Sequence, residues 1–168
     1  MDNSRLTQMT RNSVSRPTRW LVENVDFKGK DVLHHGRGKA VKDTWAMEEA
    51  GARWVTEYDP NVEEIDNPCL MVGGYDIVVS NFVLNVLPPE PRDAVVDEIF
   101  ESVAATNGVA YIAVRTDKIN GLPVADGVLT SRGTFQTQLS VADWTEYFGR
   151  HPVHLDSGYA IFTIDNHG

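Results

Sequence analysis

The sequence predicts an α/β domain in three layers: an open, mostly parallel sheet of seven (or six) strands between two layers of helices, finished by an antiparallel hairpin. Three observations predict it. Apolar runs of strand length alternate with longer helical stretches from Asp31 onward, the pattern of strand–helix units wound around a parallel sheet. The segments 75–81 and 109–114 hold the continuous apolar runs Ile77-Val78-Val79 and Val109-Ala110-Tyr111-Ile112-Ala113-Val114, as strands covered on both faces require. The two last runs, 153–155 and 159–164, flank Asp156-Ser157-Gly158, which is a hairpin signature.

The whole chain is consistent with that plan. Its 168 residues, 42% apolar and 23% charged, are enough to bury the core of one domain. We expect a flexible polar arm over residues 1–14 and a single domain over 15–168. No apolar run reaches the roughly 18 residues of a membrane span, and the polar start Met1-Asp2-Asn3-Ser4-Arg5 does not read as a signal peptide. Cys69 is the only cysteine, so disulfide frameworks and cysteine zinc sites are excluded and a cytoplasmic setting is the expectation. The net charge is −9, unevenly spread: residues 1–42 carry nine Lys/Arg against four Asp/Glu, the rest six against twenty. An acidic body repels nucleic acid broadly, while a basic rim near a pocket still meets phosphates.

Taken in order, Ser15 and Pro17 open a helix with Trp20, Leu21 and Val22 on its inner face. It is placed to cover one wall of a pocket. After the first strand, the next helix pairs Val41 with Trp45 and Ala46 with Ala50, and Gly51 stops it. Residues 61–73 are too broken for a long strand, leaving room for a short edge strand. Pro88, Pro89 and Pro91 open a helix whose stripe is Val95, Val96, Ile99, Phe100, Val103 and Ala104, ended by Asn107-Gly108. Residues 116–137 read as a loop long enough to carry function. Ser140 caps the last helix, with Trp144 and Phe148. Trp45, Trp54 and Trp144 are expected in the core.

The segment from Asp31 to Pro60 organises the rest. It is a strand, a turn Gly36-Arg37-Gly38, a helix and a second strand ending at Asp59, 21 positions after Gly38. Glycine there permits positive φ and close approach of a ligand. The following helix aims its free N–H groups at the turn, and an acid at that spacing suits a ribose diol. A phosphate loop needs four residues before a Gly-Lys-Ser/Thr, which Gly36-Arg37-Gly38-Lys39-Ala40 lacks. A dinucleotide fingerprint needs a small residue where Val41 stands, and the short-chain oxidoreductase pair Tyr-x-x-x-Lys is absent. The S-adenosylmethionine (SAM) fold ends in an antiparallel hairpin and needs no pyrophosphate cradle.

On these residues the chain resembles the class I SAM-dependent methyltransferases, which are Rossmann-like. Val32-Leu33-His34-His35-Gly36-Arg37-Gly38 matches the glycine motif, Tyr58-Asp59-Pro60 the ribose acid, and Tyr75-Asp76-Ile77-Val78-Val79-Ser80-Asn81 the strand bordering the reaction centre. More narrowly, Ser80-Asn81-Phe82-Val83-Leu84-Asn85-Val86-Leu87-Pro88, Tyr111-Ile112-Ala113-Val114-Arg115 and Ser131-Arg132-Gly133-Thr134-Phe135-Gln136 are similar to small bacterial and phage methyltransferase-like proteins, some found beside DNA-modification genes. The resemblance implies SAM as cofactor, held by His34, Gly36, Gly38, Asp59, Ser80 and Asn81. It implies Asn81, Phe82 and Asn85 at the reacting centre, with Arg115 and Gln136 toward the acceptor. Phe82 suits stacking on a flat substrate and core packing equally. Arg37 and Lys39 flank the turn and face either solvent or a phosphorylated substrate.

Two departures stand out. The class has Asp or Glu where His34 stands, which helps hold the methionine ammonium, and close relatives have glycine where Ala40 stands. The acceptor, nucleic acid or a small metabolite, stays open. So does a second reading, a non-catalytic accessory protein of this fold acting through its acidic surface. His34 and His35 point to opposite strand faces and do not form a metal pair. His151 and His154, without acid partners at ligand spacing, read as surface histidines, and no metal site is expected.

Overall fold

A computed structural model describes residues 13–167. The arm expected over 1–14 therefore lies outside the described residues except for its last two. Among the described residues nine strands and four α-helices follow one another, beginning with α1 (Arg16–Asn24). β1 (Asp31–His35), β2 (Trp54–Tyr58), β3 (Ile77–Asn81) and β4 (Val109–Arg115) are parallel. β9 (Tyr159–Asp165) runs antiparallel to β4 along seven residue pairs, and β8 (His154–Asp156) closes the hairpin. The sheet order is β2-β1-β3-β4-β9-β8, which is the six-stranded form of the expected fold.

Alternate residues of the strands build two cores. Leu33, Val78, Ile112 and Phe162 pack with α3 (Pro89–Ala104) and α4 (Val141–Phe148) through Ile99, Val103 and Trp144. Val32, Ile77, Val79 and Ile161 pack with Leu21 of α1 and Met47 of α2 (Val41–Glu49). The helix signals act as read. Ser15 caps α1, Ser140 and Asp143 form a reciprocal capping box on α4, and Gly149 ends α4 at φ +67°.

Four expectations need correcting. Residues 61–73 form no strand but two 3-10 turns, Glu63–Ile65 and Pro68–Val72, so the sheet ends at β2. Trp54 lies on that open edge and is 69% exposed, because no strand lies beyond to cover it. Trp45 is also exposed, at 56%, because α2 turns Asp43, Thr44 and Met47 inward instead of the Val41/Trp45 stripe. Only Trp144 of the three tryptophans is core. Finally, the supposed loop at 116–137 holds a second antiparallel sheet: β5 (Leu122–Val124), β6 (Gly127–Leu129) and β7 (Phe135–Thr137). Three-residue strands are too short to show a period of two. The turns between them, at Asp126 (φ +60°) and Gly133 (φ +73°), are the local signals that were present.

Buried Arg92 of α3 ties this small sheet to the main body. Its Nη2 donates to the Thr137 hydroxyl at 3.0 Å and to the Leu87 carbonyl at 3.2 Å, and its guanidinium lies over the Trp144 ring. His151 is exposed as expected, but His154 stacks on Trp20 at 4.5 Å and so fixes α1 against the terminal hairpin.

Candidate functional site

The carboxyl ends of β1, β2, β3 and β4 open on one cavity of about 560 Å³, where ligands meet open α/β sheets. The glycine turn forms its floor. Gly36 (φ +66°) and Gly38 (φ +54°) are both left-handed, and the Gly36 and Arg37 N–H groups donate to the Tyr58 carbonyl at 2.8 and 3.2 Å. A Cβ on Gly36 would meet the Cγ2 methyl of Val83 well inside van der Waals contact. Gly36→Ala is therefore expected to cost roughly 2–4 kcal/mol, from left-handed strain plus overpacking, read as a lower urea midpoint. Adding Val83→Ala should recover the steric part; no loss in the single variant would show that the turn is not held against Val83. Ala40, in the position of the missing third glycine, sits at φ −86°, outside the left-handed region that favours glycine.

Asp59 closes the turn from β2. Its Oδ2 accepts from the Gly38 N–H at 2.7 Å and its Oδ1 from the Asn61 N–H at 2.8 Å. A carboxylate has about four acceptor sites, so each oxygen keeps one for a ligand.

His34 is 1% exposed, and its Nδ1 lies 2.8 Å from the Thr44 hydroxyl. That hydroxyl donates to Glu57 Oε2 at 2.8 Å, and Arg37 pairs with the same oxygen at 3.3 Å. Because Thr44 gives its proton to Glu57, it accepts from His34, and the network assigns the proton to Nδ1. Nε2 is then a neutral acceptor. Burial, helped by the Arg37 charge, lowers the His34 pKa to about 4 against the pull of Asp43 and Glu57. His35 is also lowered to about 4, by burial and then by His34, and its Nδ1 lies 2.9 Å from the Ser80 hydroxyl.

A polar junction that sequence reasoning missed lies beside them. Buried Asp43 accepts from the Ser15 N–H (2.7 Å), the Ser15 hydroxyl (2.6 Å), the Thr18 hydroxyl (3.1 Å) and, more weakly, Asn81 Nδ2 (3.4 Å). It joins α1, α2 and the end of β3 in one place. The usable signal was an acid two residues into α2, on the face one turn before Met47.

Of the expected site residues, His34, Gly36, Gly38, Asp59, Asn81, Phe82, Asn85, Arg115 and Gln136 all line the cavity. Ser80 does not: it is wholly buried behind His35, so it supports the site rather than lining it, since its side chain alternates away from that of Asn81. Asn85 lines the cavity and its amide braces the Arg115 backbone, the carbonyl oxygen accepting at 2.9 Å and the amide donating at 3.5 Å. It positions the end of β4 and keeps a second lone pair and a second amide hydrogen. Phe82 holds φ +63°, an uncommon backbone for an aromatic residue and a form of strain often found at sites. Asn81 Oδ1 is buried with no hydrogen-bond partner in the structure. Among the described residues, no group of three or more His, Cys, Asp or Glu side chains is arranged to hold a metal ion.

No family model and no curated protein matches the sequence. Solved structures do match. DhpI in complex with S-adenosylhomocysteine (SAH) superposes with a TM-score of 0.62 at 19% identity, over 88% of this chain and 81% of that one. A methyltransferase acting on 1,6-didemethyltoxoflavin, from Burkholderia thailandensis and bound to SAH, gives 0.64 at 18% identity, over 88% and 76%. A protein described as a putative zinc-dependent alcohol dehydrogenase from Rhodobacter sphaeroides gives 0.65 at 12%, over 96% and 93%. At such identities the likeness establishes the fold alone, an α/β fold shared with SAH-bound structures. Among the described residues no helix is long and apolar enough to cross a membrane.

Proposed function

We propose that the protein is a SAM-dependent methyltransferase. The observation that carries this reading is the convergence of unspent acceptors on a glycine turn within one cavity: two lone-pair sites on Asp59, Nε2 of His34 and Oδ1 of Asn81. A ribose diol and a methionine ammonium are donor-rich groups, and these acceptors suit them. Asp59 takes the diol; His34, with Asn81 Oδ1, takes the ammonium. The departure at His34 thus keeps an acceptor in place of the usual carboxylate, and Ala40 sits at negative φ, where glycine is not required. Both motives for a non-catalytic accessory reading are weakened. An oxidoreductase reading is disfavoured by Val41 and the missing Tyr-x-x-x-Lys pair.

When bound, SAM supplies an electrophilic methyl group for in-line displacement. The chain's own part is to align the acceptor and exclude water, which is why no nucleophile or carboxylate pair is required. Phe82 and Val86, with Asn85 bracing the β4 end, give the centre an apolar wall.

Melting the protein with SAM and with SAH tests the proposal. Ligand at about 100 times its dissociation constant adds roughly 2.7 kcal/mol, a rise of about 5–10 °C for a domain of this size. Asp59→Ala should cut SAH affinity by about 10- to 100-fold, and should also cost stability by unpairing the Gly38 and Asn61 N–H groups. A cooperative melt that neither ligand moves would overturn the proposal.

A further inference from the structure

The cavity extends past the acceptors assigned above, and its other wall has a different chemistry. It is formed by Arg115 at the end of β4 and by Ser131, Arg132, Thr134 and Gln136 from the small sheet, facing apolar Val86. The lining acids, Asp43, Asp59 and Glu98, sit on α2, after β2 and on α3. On the small-sheet wall the charged groups are cations alone. Arg115 is held by Asp117 through Nε (3.1 Å) and Nη2 (2.9 Å), whereas Arg132 makes no ion pair among the described residues. The turn presenting Arg132 is well built: the Thr130 and Thr134 hydroxyls meet at 2.6 Å, and the Thr130 and Gly133 N–H groups each donate at 2.9 Å to the Thr134 and Thr130 carbonyls.

We infer that the methyl acceptor is a small molecule bearing an oxyanion, carboxylate or phosphate, and that Arg132 receives it with Arg115 as the second cation. A guanidinium is shaped for planar oxyanions, and the neighbouring hydroxyls and amide provide further donors. Long polyanions are disfavoured, because residues 43–168 carry six Lys/Arg against twenty Asp/Glu and repel them outside the cavity. A small anion that enters escapes that field. This inference rests on the methyltransferase reading for the word acceptor, but not for the anion site.

Calorimetric titration of SAH-saturated protein with phenyl phosphate, and with uncharged benzyl alcohol, tests it. Phenyl phosphate should bind at least about tenfold tighter than benzyl alcohol, and Arg132→Gln should weaken it about tenfold or more. Arg132→Lys should retain part of the affinity, and SAH affinity and melting temperature should be unchanged in both variants. No binding of phenyl phosphate, or equal binding by Arg132→Gln, would overturn the inference. So would tight binding of a single-stranded oligonucleotide with phenyl phosphate silent, which would point to nucleic acid. The separate SAH titration keeps the readings apart: phenyl phosphate binding that depends on Arg132, without SAH binding, would leave the anion site standing and sink the methyltransferase.

Discussion

Asp43→Ala is expected to lower the unfolding free energy by about 3–5 kcal/mol in a urea titration. The substitution deletes the acceptor of two hydroxyls, one amide and one backbone N–H that are largely out of water. Each buried donor left unpaired costs about 1–3 kcal/mol, and partial re-pairing among Ser15, Thr18 and Asn81 reduces the sum. Asp43→Asn keeps one acceptor oxygen and should lose roughly half as much. Because α1 docks through this junction, the variant should also show fast amide exchange in α1 while β3 and β4 stay protected. A loss under about 1 kcal/mol would mean that α1 is held by Leu21 and the Trp20–His154 stack, and that the junction is incidental.

Stability is expected to fall as pH drops from about 6.5 to about 4, driven by His34 and His35. In the unfolded chain each imidazole protonates near 6.5; in the folded protein each does so only near 4. Between those values the unfolded state binds more protons, so acid favours it. The stabilisation is complete above 6.5 and amounts to something on the order of 3 kcal/mol for each histidine. Carboxylates held below their ordinary value of 3.8, such as Asp31 beside Arg53 and Asp117 beside Arg115, lose their contribution at lower pH, so the window belongs to the histidines. Urea midpoints at pH 7.5 and 4.5 measure it, and a flat profile would show that the two rings are not buried neutral. SAH affinity should fall over the same range, since a protonated His34 no longer accepts from the ammonium and repels it.

Much of the sheet and of the glycine turn was legible in the sequence, because both rest on local rules. Buried parallel strands are continuous apolar runs, and Gly36 and Gly38 take φ values other residues avoid. The inward face of α2 was not legible. Periodicity counts apolar residues, and there Asp43 and Thr44 face inward because partners from α1, β1, β2 and β3 satisfy them. The exposure of Trp54 likewise depends on a strand that is absent. For Asn85 and Ser80, position along the chain was informative and role was not. Asn85 lines the cavity and Ser80 lies behind it, and their polar atoms bond the Arg115 backbone and His35.

The wiring of the Asp43 junction also sets an order of assembly. Its donors come from positions 15, 18 and 81, so α1, the first described helix to be synthesised, has no complete docking site until β3 has been made. The central strand β4 waits longer still, since its outer partner β9 is contributed by residues 159–165. Loop closure on that scale is slow. A growing chain therefore carries an undocked α1 until residue 81 has emerged, and an unpaired β4 edge until residues 159–165 have followed.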